Sequence, residues 1–140
     1  NELKRLKLCN VSDEMDSPQI YIGSIPFHIA LYPNGKVNAN NFDTFLHCNA
    51  SKHNLSKLEL EYEININEIK FNKSHTILYE KLHIPYGYGP KKVPTFDDII
   101  KLNEITINVK IEVLNMLNKD GNIVPKMLWN KYLFVYDYKG

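Results

Sequence analysis

The sequence predicts an all-β fold, an antiparallel β-sandwich of about eight strands. Three observations support it. Two long segments alternate strictly between apolar and polar residues, turn residues recur at short intervals, and helical periodicity is weak along nearly the whole chain. The 140 residues, of which 44% are hydrophobic, are enough for one core and too few for two large domains.

The two clearest strands are predicted over residues 58–66 and 105–113. In the first, every second residue is apolar: Leu58, Leu60, Tyr62, Ile64 and Ile66. The same period returns in the second, at Ile105, Ile107, Val109, Ile111 and Val113. Because successive side chains of a strand point to opposite faces, each of these strands has one buried face and one solvated face.

The other elements are shorter and are bounded by turn residues. Strands are predicted over residues 19–23, 27–32, 42–49, 75–81 and 132–138. Turns or loops are predicted at Tyr32-Pro33-Asn34-Gly35, at Tyr86-Gly87-Tyr88-Gly89-Pro90 and at Lys119-Asp120-Gly121-Asn122. One short helix is predicted over residues 96–102, with Asp97 and Asp98 in its first turn. The Asn-rich residues 38–41 are expected to be a loop without specific chemistry.

The predicted domain organisation has three parts. Residues 1–17 form a lead-in segment, residues 18–114 form the sandwich, and residues 115–140 form a C-terminal extension or a linker toward a catalytic domain outside this sequence. Within that extension, the apolar run 132–138 is expected to add a strand or to pack back on the sandwich.

Composition argues against several classes of function. Seventeen basic and sixteen acidic residues give a net charge of +1, which lacks the basic footprint of a nucleic-acid binder. No apolar run approaches the roughly 20 residues that cross a bilayer, so we expect a soluble protein with no membrane partner. Cys9 and Cys48 offer no CxxC spacing, which favours a reducing compartment, nuclear and/or cytoplasmic.

Catalytic, metal-binding and cofactor-binding patterns are missing as well. His47 and Cys48 are neighbours in a predicted strand, so their side chains point to opposite faces and cannot form a thiolate–imidazole pair. We expect one core thiol and one surface imidazole. The histidines lack an HExxH spacing, so no metal site is predicted, and the motifs indicate no cofactor. The isolated chain is therefore expected not to be an enzyme.

The aromatic residues near position 87 allow two hypotheses. Tyr86 and Tyr88 flank Gly87, and Lys91 and Lys92 follow closely. The two rings could cover the open edge of the core, since tyrosine is often half-buried. They could instead form a ledge for a ligand, because rigid rings flank a glycine that lets another backbone approach.

Several segments together resemble the TRAF-like or MATH domain family, over about residues 10–114. The matching segments are Ser17-Pro18 with residues 25–35, which look like the family's opening strand and YPNG-type turn; Tyr86-Gly87-Tyr88, which falls where the family usually has Trp-Gly-Phe; and residues 105–113, which match its last core strand. Residues 45–50 read FLHCNA and are similar to the FLxCNA stretch of the herpesvirus-associated ubiquitin-specific protease branch.

The resemblance implies that a short linear peptide of a partner protein is captured beside an exposed strand. It places Phe45 near a pocket aromatic and the residues Tyr86, Gly87 and Tyr88 at the binding ledge. Lys91 and Lys92 beside that ledge predict a preference of a few fold for acidic or phosphorylated peptides. The family's acidic residue before Trp is replaced by Pro85, and matching the family glycine to Gly89 loses that acid too.

The resulting hypothesis is a peptide-binding substrate-recognition module of a ubiquitin-specific protease, with a cysteine-type deubiquitinase as the parent chain. Its expected partners are short motifs of protein substrates, with ubiquitin-pathway proteins among them. One alternative is the substrate arm of a ubiquitin-ligase adaptor. Another is a structural or oligomerising TRAF-type module, which would call for a heptad segment longer than residues 1–17 ahead of the sandwich.

Overall fold

Two antiparallel β-sheets pack face to face, which confirms the predicted all-β sandwich. The computed structural model describes residues 2–22, 25–48, 54–67, 69–78, 86–88, 94–124 and 132–139. These residues form two helices, α1 (Glu2–Lys7) and α2 (Phe96–Ile99). They also form the strands β1 (Met15–Asp16), β2 (Ile20–Ile22), β3 (Ile25–Tyr32), β4 (Asp43–Cys48), β5 (Leu55–Ile66), β6 (Ile69–Leu78), β7 (Tyr86–Tyr88), β8 (Glu104–Asn118) and β9 (Tyr132–Lys139).

The described strands form one five-stranded sheet and one four-stranded sheet. In the first sheet the order is β1-β3-β4-β7, and β2 also pairs with β3. In the second sheet the order is β6-β5-β8-β9. All of these pairings are antiparallel, and buried apolar side chains from both sheets form one core cluster between them.

The centre of the second sheet is the long β5–β8 pair, which contains both of the clearest predicted strands. The alternating apolar residues of the two strands are partners in the register, as in Tyr62 opposite Ile111 and Ile64 opposite Val109, and all four are buried. Both strands run further than predicted because a register shift interrupts the alternation on each. On β8 the extra residue is Leu114, which is 40% exposed. The alternation changes phase there, so that the next buried residue after Val113 is Met116.

The remaining strands agree with the sequence except at β1, which lies in the predicted lead-in, and at β6 and β7. β6 begins at Ile69, before the predicted residue 75, and residues 79–81 lie outside the described residues. β7 is a strand where a loop is predicted, because pairing with β4 overrides the local turn signal of its glycine. β9 forms the predicted additional strand and pairs with β8.

Residues 2–17, predicted as a lead-in, contribute to the core. Leu3 and Leu6 of α1 are buried in it, and so is Met15 of β1. Ser17 joins β1 to β3, since its hydroxyl oxygen accepts a hydrogen bond from the Ile29 N–H at 2.8 Å. Sequence analysis misses α1 because six residues are too few to show a helical period. Neither helix of the described chain is long and apolar enough to span a membrane.

The predicted Tyr32–Gly35 turn is present, and asparagines fix the loop that follows it. The Gly35 N–H donates to the Tyr32 carbonyl at 3.1 Å. The Asn34 side chain accepts a hydrogen bond from the Asn40 N–H at 2.9 Å. Asn40 in turn accepts from the N–H of Asp97 at 2.9 Å with its side chain, so this loop holds the start of α2. The expectation that residues 38–41 carry no specific chemistry is therefore wrong at Asn40.

The predicted helix is confirmed but is shorter than expected. Thr95 caps α2, since its hydroxyl accepts a hydrogen bond from the Asp98 N–H at 3.2 Å. Asp97 and Asp98 lie in the first turn, as predicted. The helix ends at Ile99, where the Leu102 N–H donates to the Ile99 carbonyl at 3.1 Å and closes a tighter turn.

Two glycines allow a matched test of the turn after β3. Gly35 has φ +93°, and an added Cβ would lie 1.8 Å from the Asn38 carbonyl oxygen. Gly121 has φ +82° with open space around the same position. Gly121→Ala is expected to lower the free energy of unfolding by about 1–2 kcal/mol through backbone strain alone. Gly35→Ala should lower it further, by about 3 kcal/mol or more, because the backbone must also shift. Equal losses in urea denaturation of the two variants would contradict this assignment.

Candidate functional site

The predicted binding ledge lies on β7, at the end of the first sheet. Among the described strands β7 pairs with β4 alone. In the register, Tyr86 is opposite Cys48, Gly87 is opposite His47, and Tyr88 is opposite Leu46. The structure thus brings the predicted ledge next to the strand that carries Phe45.

β4 has one row of residues facing the core and one facing outward. Leu46 and Cys48 are buried in the core cluster. The outer row of β4 consists of Asp43, Phe45 and His47, which are partly exposed. Because opposite residues of an antiparallel pair share a face, positions 86 and 88 belong with the core-facing row and position 87 with the outer row. This register favours the hypothesis that the two tyrosine positions belong to the open edge of the core.

Phe45 lies in an aromatic contact on the outer face of the first sheet. Its ring meets the Tyr32 ring edge-on, with the centroids 5.8 Å apart and an interplanar angle of 77°. The Lys36 Nζ lies 5.4 Å from the Phe45 centroid and 5.7 Å from the Tyr32 centroid. Such a cation over aromatic faces is stabilising, and it gives this part of the surface a positive charge. Sequence analysis predicts Phe45 as a binding residue but misses Lys36. The turn after β3 places the Lys36 side chain near the Tyr32 and Phe45 rings.

Two histidines are stacked beside this contact. His28 of β3 and His47 of β4 are opposite in the register, with ring centroids 4.9 Å apart and an interplanar angle of 12°. Burial lowers the pKa of both imidazoles, and for His47 the nearby His28 lowers it further. The His47 Nε2 is shielded from solvent and has no hydrogen-bond partner among the described residues. His47 is thus on the outer face, as predicted, but it is half-buried and stacked.

Two carboxylates and a tyrosine occupy the β1 end of the same face. The Tyr32 hydroxyl donates a hydrogen bond to Glu14, and Glu14 is also hydrogen-bonded to Asp16. Partial burial and the Glu14 carboxylate raise the pKa of Asp16 to about 6, while the hydrogen bonds from Asp16 and Tyr32 lower the pKa of Glu14. Burial and Glu14 also raise the pKa of Tyr32 to about 12. This cluster is visible only once β1 is paired with β3, a register that the sequence does not reveal.

The arrangement offers no thiolate chemistry at Cys48. Its side chain is 4% exposed, and burial raises the pKa of the thiol to about 12. His47 is on the opposite face of the strand, which confirms the prediction that the two cannot act together. Within the described part of the chain, no group of three or more His, Cys, Asp or Glu side chains is placed to hold a metal ion. Lys91 and Lys92, predicted to lie beside the ledge, are outside the described residues.

Comparison with known proteins identifies one family. The family model described as "MATH domain" matches residues 7–124, which is most of the chain. That match begins within the predicted lead-in and continues past the predicted end of the sandwich at residue 114. No curated protein and no solved structure matches the chain.

The carboxyl cluster predicts a specific effect of pH on stability. An unperturbed Asp has a pKa of 3.8 and Asp16 has one of about 6, so the folded state binds more protons than the unfolded state between these values. The stability that protonated Asp16 contributes is therefore lost as the pH rises through that window. Asp16→Asn should be more stable than the natural protein at neutral pH, and this difference should shrink toward pH 4.

Chemical denaturation at several pH values between about 4 and 7 measures this difference directly. Asp120→Asn, at the exposed turn after β8, is the matched control and should leave the pH dependence unchanged. A stability profile of Asp16→Asn parallel to that of the natural protein over the whole range would contradict the assignment.

Proposed function

The chain belongs to the MATH domain family, and on that premise we propose that it captures a short extended peptide of a partner protein along β7. MATH domains are non-catalytic modules that mediate protein–protein interactions. Our proposal adds to that general role the strand at which the partner binds and the way in which it binds. Both rest on the geometry of the first sheet.

One observation carries the proposal: β7 is the last described strand of its sheet. One side of β7 is paired with β4, and no described strand covers the other side. An edge strand presents unpaired backbone N–H and C=O groups that can pair with an added strand. A peptide bound in this way obtains its affinity from backbone hydrogen bonds and its selectivity from the side chains around it.

The residues proposed to contact the peptide follow from this placement. Gly87 is in the outer row of β7, and Phe45 is in the outer row of the adjacent strand, partly exposed and packed on Tyr32. Tyr86 and Tyr88 supply the backbone of the edge itself. We include Lys91 and Lys92 in the proposed site on sequence grounds, because they closely follow the edge strand.

We also propose that the module recognises substrates for a ubiquitin-specific protease. The support is the FLHCNA stretch at residues 45–50, which is similar to the corresponding stretch of that protease branch. A ubiquitin-ligase adaptor and a structural TRAF-type module would use the same fold. The full-length gene separates these contexts, since a downstream Cys box and His box would indicate the protease and a BTB or RING segment would indicate the ligase.

The binding mode predicts which substitutions weaken capture. Peptides are selected from a random library on the full chain, and their affinity is then measured on variants by fluorescence polarisation. Phe45→Ala should weaken binding tenfold or more, about 1.4 kcal/mol, because an aromatic anchor contributes a large share of a micromolar affinity. Tyr21→Ala is the matched control, since this tyrosine is 55% exposed on β2, away from β7, and its loss should not change the affinity.

Thermal denaturation of β7 variants distinguishes binding from folding. Tyr86→Ala and Tyr88→Ala are expected to unfold at a lower temperature with unchanged affinity in their folded fraction, because the register places both positions with the core-facing row. A tenfold loss of affinity without a loss of stability would instead assign the two rings to the peptide site as anchors. A Phe45→Ala variant that binds as tightly as the natural protein would contradict the site as a whole.

A further inference from the structure

The stacked rings of His28 and His47, the imidazole stack, are the titratable groups that the register places beside Gly87. His47 is the direct partner of Gly87, and His28 is the direct partner of His47 on the next strand inward. The two rings are parallel to within 12°. They therefore lie on the same outer face that a strand added to β7 would extend.

Gly87 places no side chain between that added strand and the stack. Strands in a sheet are about 4.8 Å apart, so a peptide paired with β7 lies about 9.5 Å from β4. A peptide residue opposite position 87 shares the outer face with His47, and the residue between them has no side chain. A long side chain on that peptide residue can reach across Gly87 to the imidazole stack.

We propose that, within the peptide-capture function argued above and resting on it, the imidazole stack selects a peptide with an acidic side chain facing Gly87 and takes up a proton when that peptide binds. A hydronium ion or buffer acid gives up the proton, an N–H bond forms at a ring nitrogen, and no bond of the peptide or of the chain is broken. The peptide carboxylate then accepts a charge-assisted hydrogen bond or lies close to the imidazolium.

The free domain provides the physical reason for this coupling. Burial lowers the pKa of both rings, and the His47 Nε2 has no partner among the described residues, so the free stack is neutral at physiological pH. A carboxylate beside the stack supplies the missing counter-ion and stabilises the charged ring. One proton is expected rather than two, because two positive charges in stacked rings repel each other.

The other charged and titratable groups on this face are compatible with an acidic ligand. Burial lowers the pKa of both imidazoles; the Glu14 carboxylate opposes this shift in part, and Lys36 adds to it at His47. Glu14 and Asp16 are at the β1 end, three strands from β7 and about 14 Å away by strand spacing, which is beyond the Debye length at physiological salt. Tyr32, Asp43 and Tyr21 complete the titratable groups of the described outer rows. Tyr32 and Asp43 lie at the far end of β3 and β4 from His47, and Tyr21 is on β2, which β3 separates from β4.

The experiment uses peptides selected from a random library on the full chain, at about pH 5.8 and about pH 7.5. Each acidic residue of a selected peptide is replaced in turn by Gln, and Kd is measured at both pH values. We expect one acidic position whose peptide binds about three- to tenfold tighter at the lower pH, an advantage that its Gln version lacks. Calorimetry in two buffers of different ionisation enthalpy should show a mean uptake of about 0.3–0.6 proton over this pH interval, which is the uptake that a three- to tenfold change in Kd requires.

Variants then locate the effect. His47→Gln should remove the pH dependence, whereas His75→Gln, on β6 of the other sheet, should keep it. Asp16→Asn should also keep it, although Asp16 titrates in the same range. Should His47→Gln fail to fold, NMR titration of the natural protein replaces it, since the pKa of His47 must rise when the peptide binds.

Each other outcome counts against the proposal. A preference for acid that is the same at both pH values indicates the lysines at positions 91 and 92 and overturns the role of the imidazole stack. A pH dependence that survives in His47→Gln overturns it as well. Peptides that bind without any preference for acid overturn this inference and leave peptide capture standing, whereas a chain that selects no peptide at either pH overturns the proposed function itself.

Discussion

The register of β5 against β8 is the constraint on which the rest of the structure depends. Eleven residue pairs join these strands, and the apolar partners among them are buried. A slip by one residue would turn all of these side chains to solvent and their polar neighbours into the core. The two register shifts show the same constraint, because each restores the buried row where the alternation changes phase. Hydrophobic burial therefore sets the register of the second sheet. The candidate binding residues lie on the outer face of the first sheet instead.

The first sheet combines a buried inner row with an unusually polar outer face. Behind that face, Phe27, Ile29, Leu46 and Cys48 anchor β3 and β4 in the core. On the outside, the same strands carry the imidazole stack, the contact of Lys36 with two aromatic rings, and the tyrosine that donates to Glu14. Each contact spans neighbouring strands or the turn between them, so pairing of the strands builds the surface. The edge strand β7 then lies directly beside a preformed face rather than beside a separate cavity.

The sequence predicts the parts of this structure that follow a short-range rule. The β5 and β8 alternation, the Tyr32–Gly35 turn, the acidic first turn of α2 and the opposite faces of His47 and Cys48 all follow from period or turn chemistry. The elements that were missed depend on contacts distant in sequence. α1 is stable because Leu3 and Leu6 reach the core, and β7 is a strand because β4 pairs with it. The stack of His28 on His47 and the link from Glu14 to Tyr32 likewise require a register that local sequence does not specify.

Hydrogen–deuterium exchange on the full chain, with and without a library-selected peptide, tests the central claim most directly. If the peptide adds to the first sheet as a strand, the backbone amides of Tyr86–Tyr88 that face away from β4 become protected on binding. The edge strands β6 and β9 of the second sheet provide the internal comparison, and their exchange should not change. Protection confined to β6 or β9, with exchange at β7 unaltered by a bound peptide, would contradict capture at this edge.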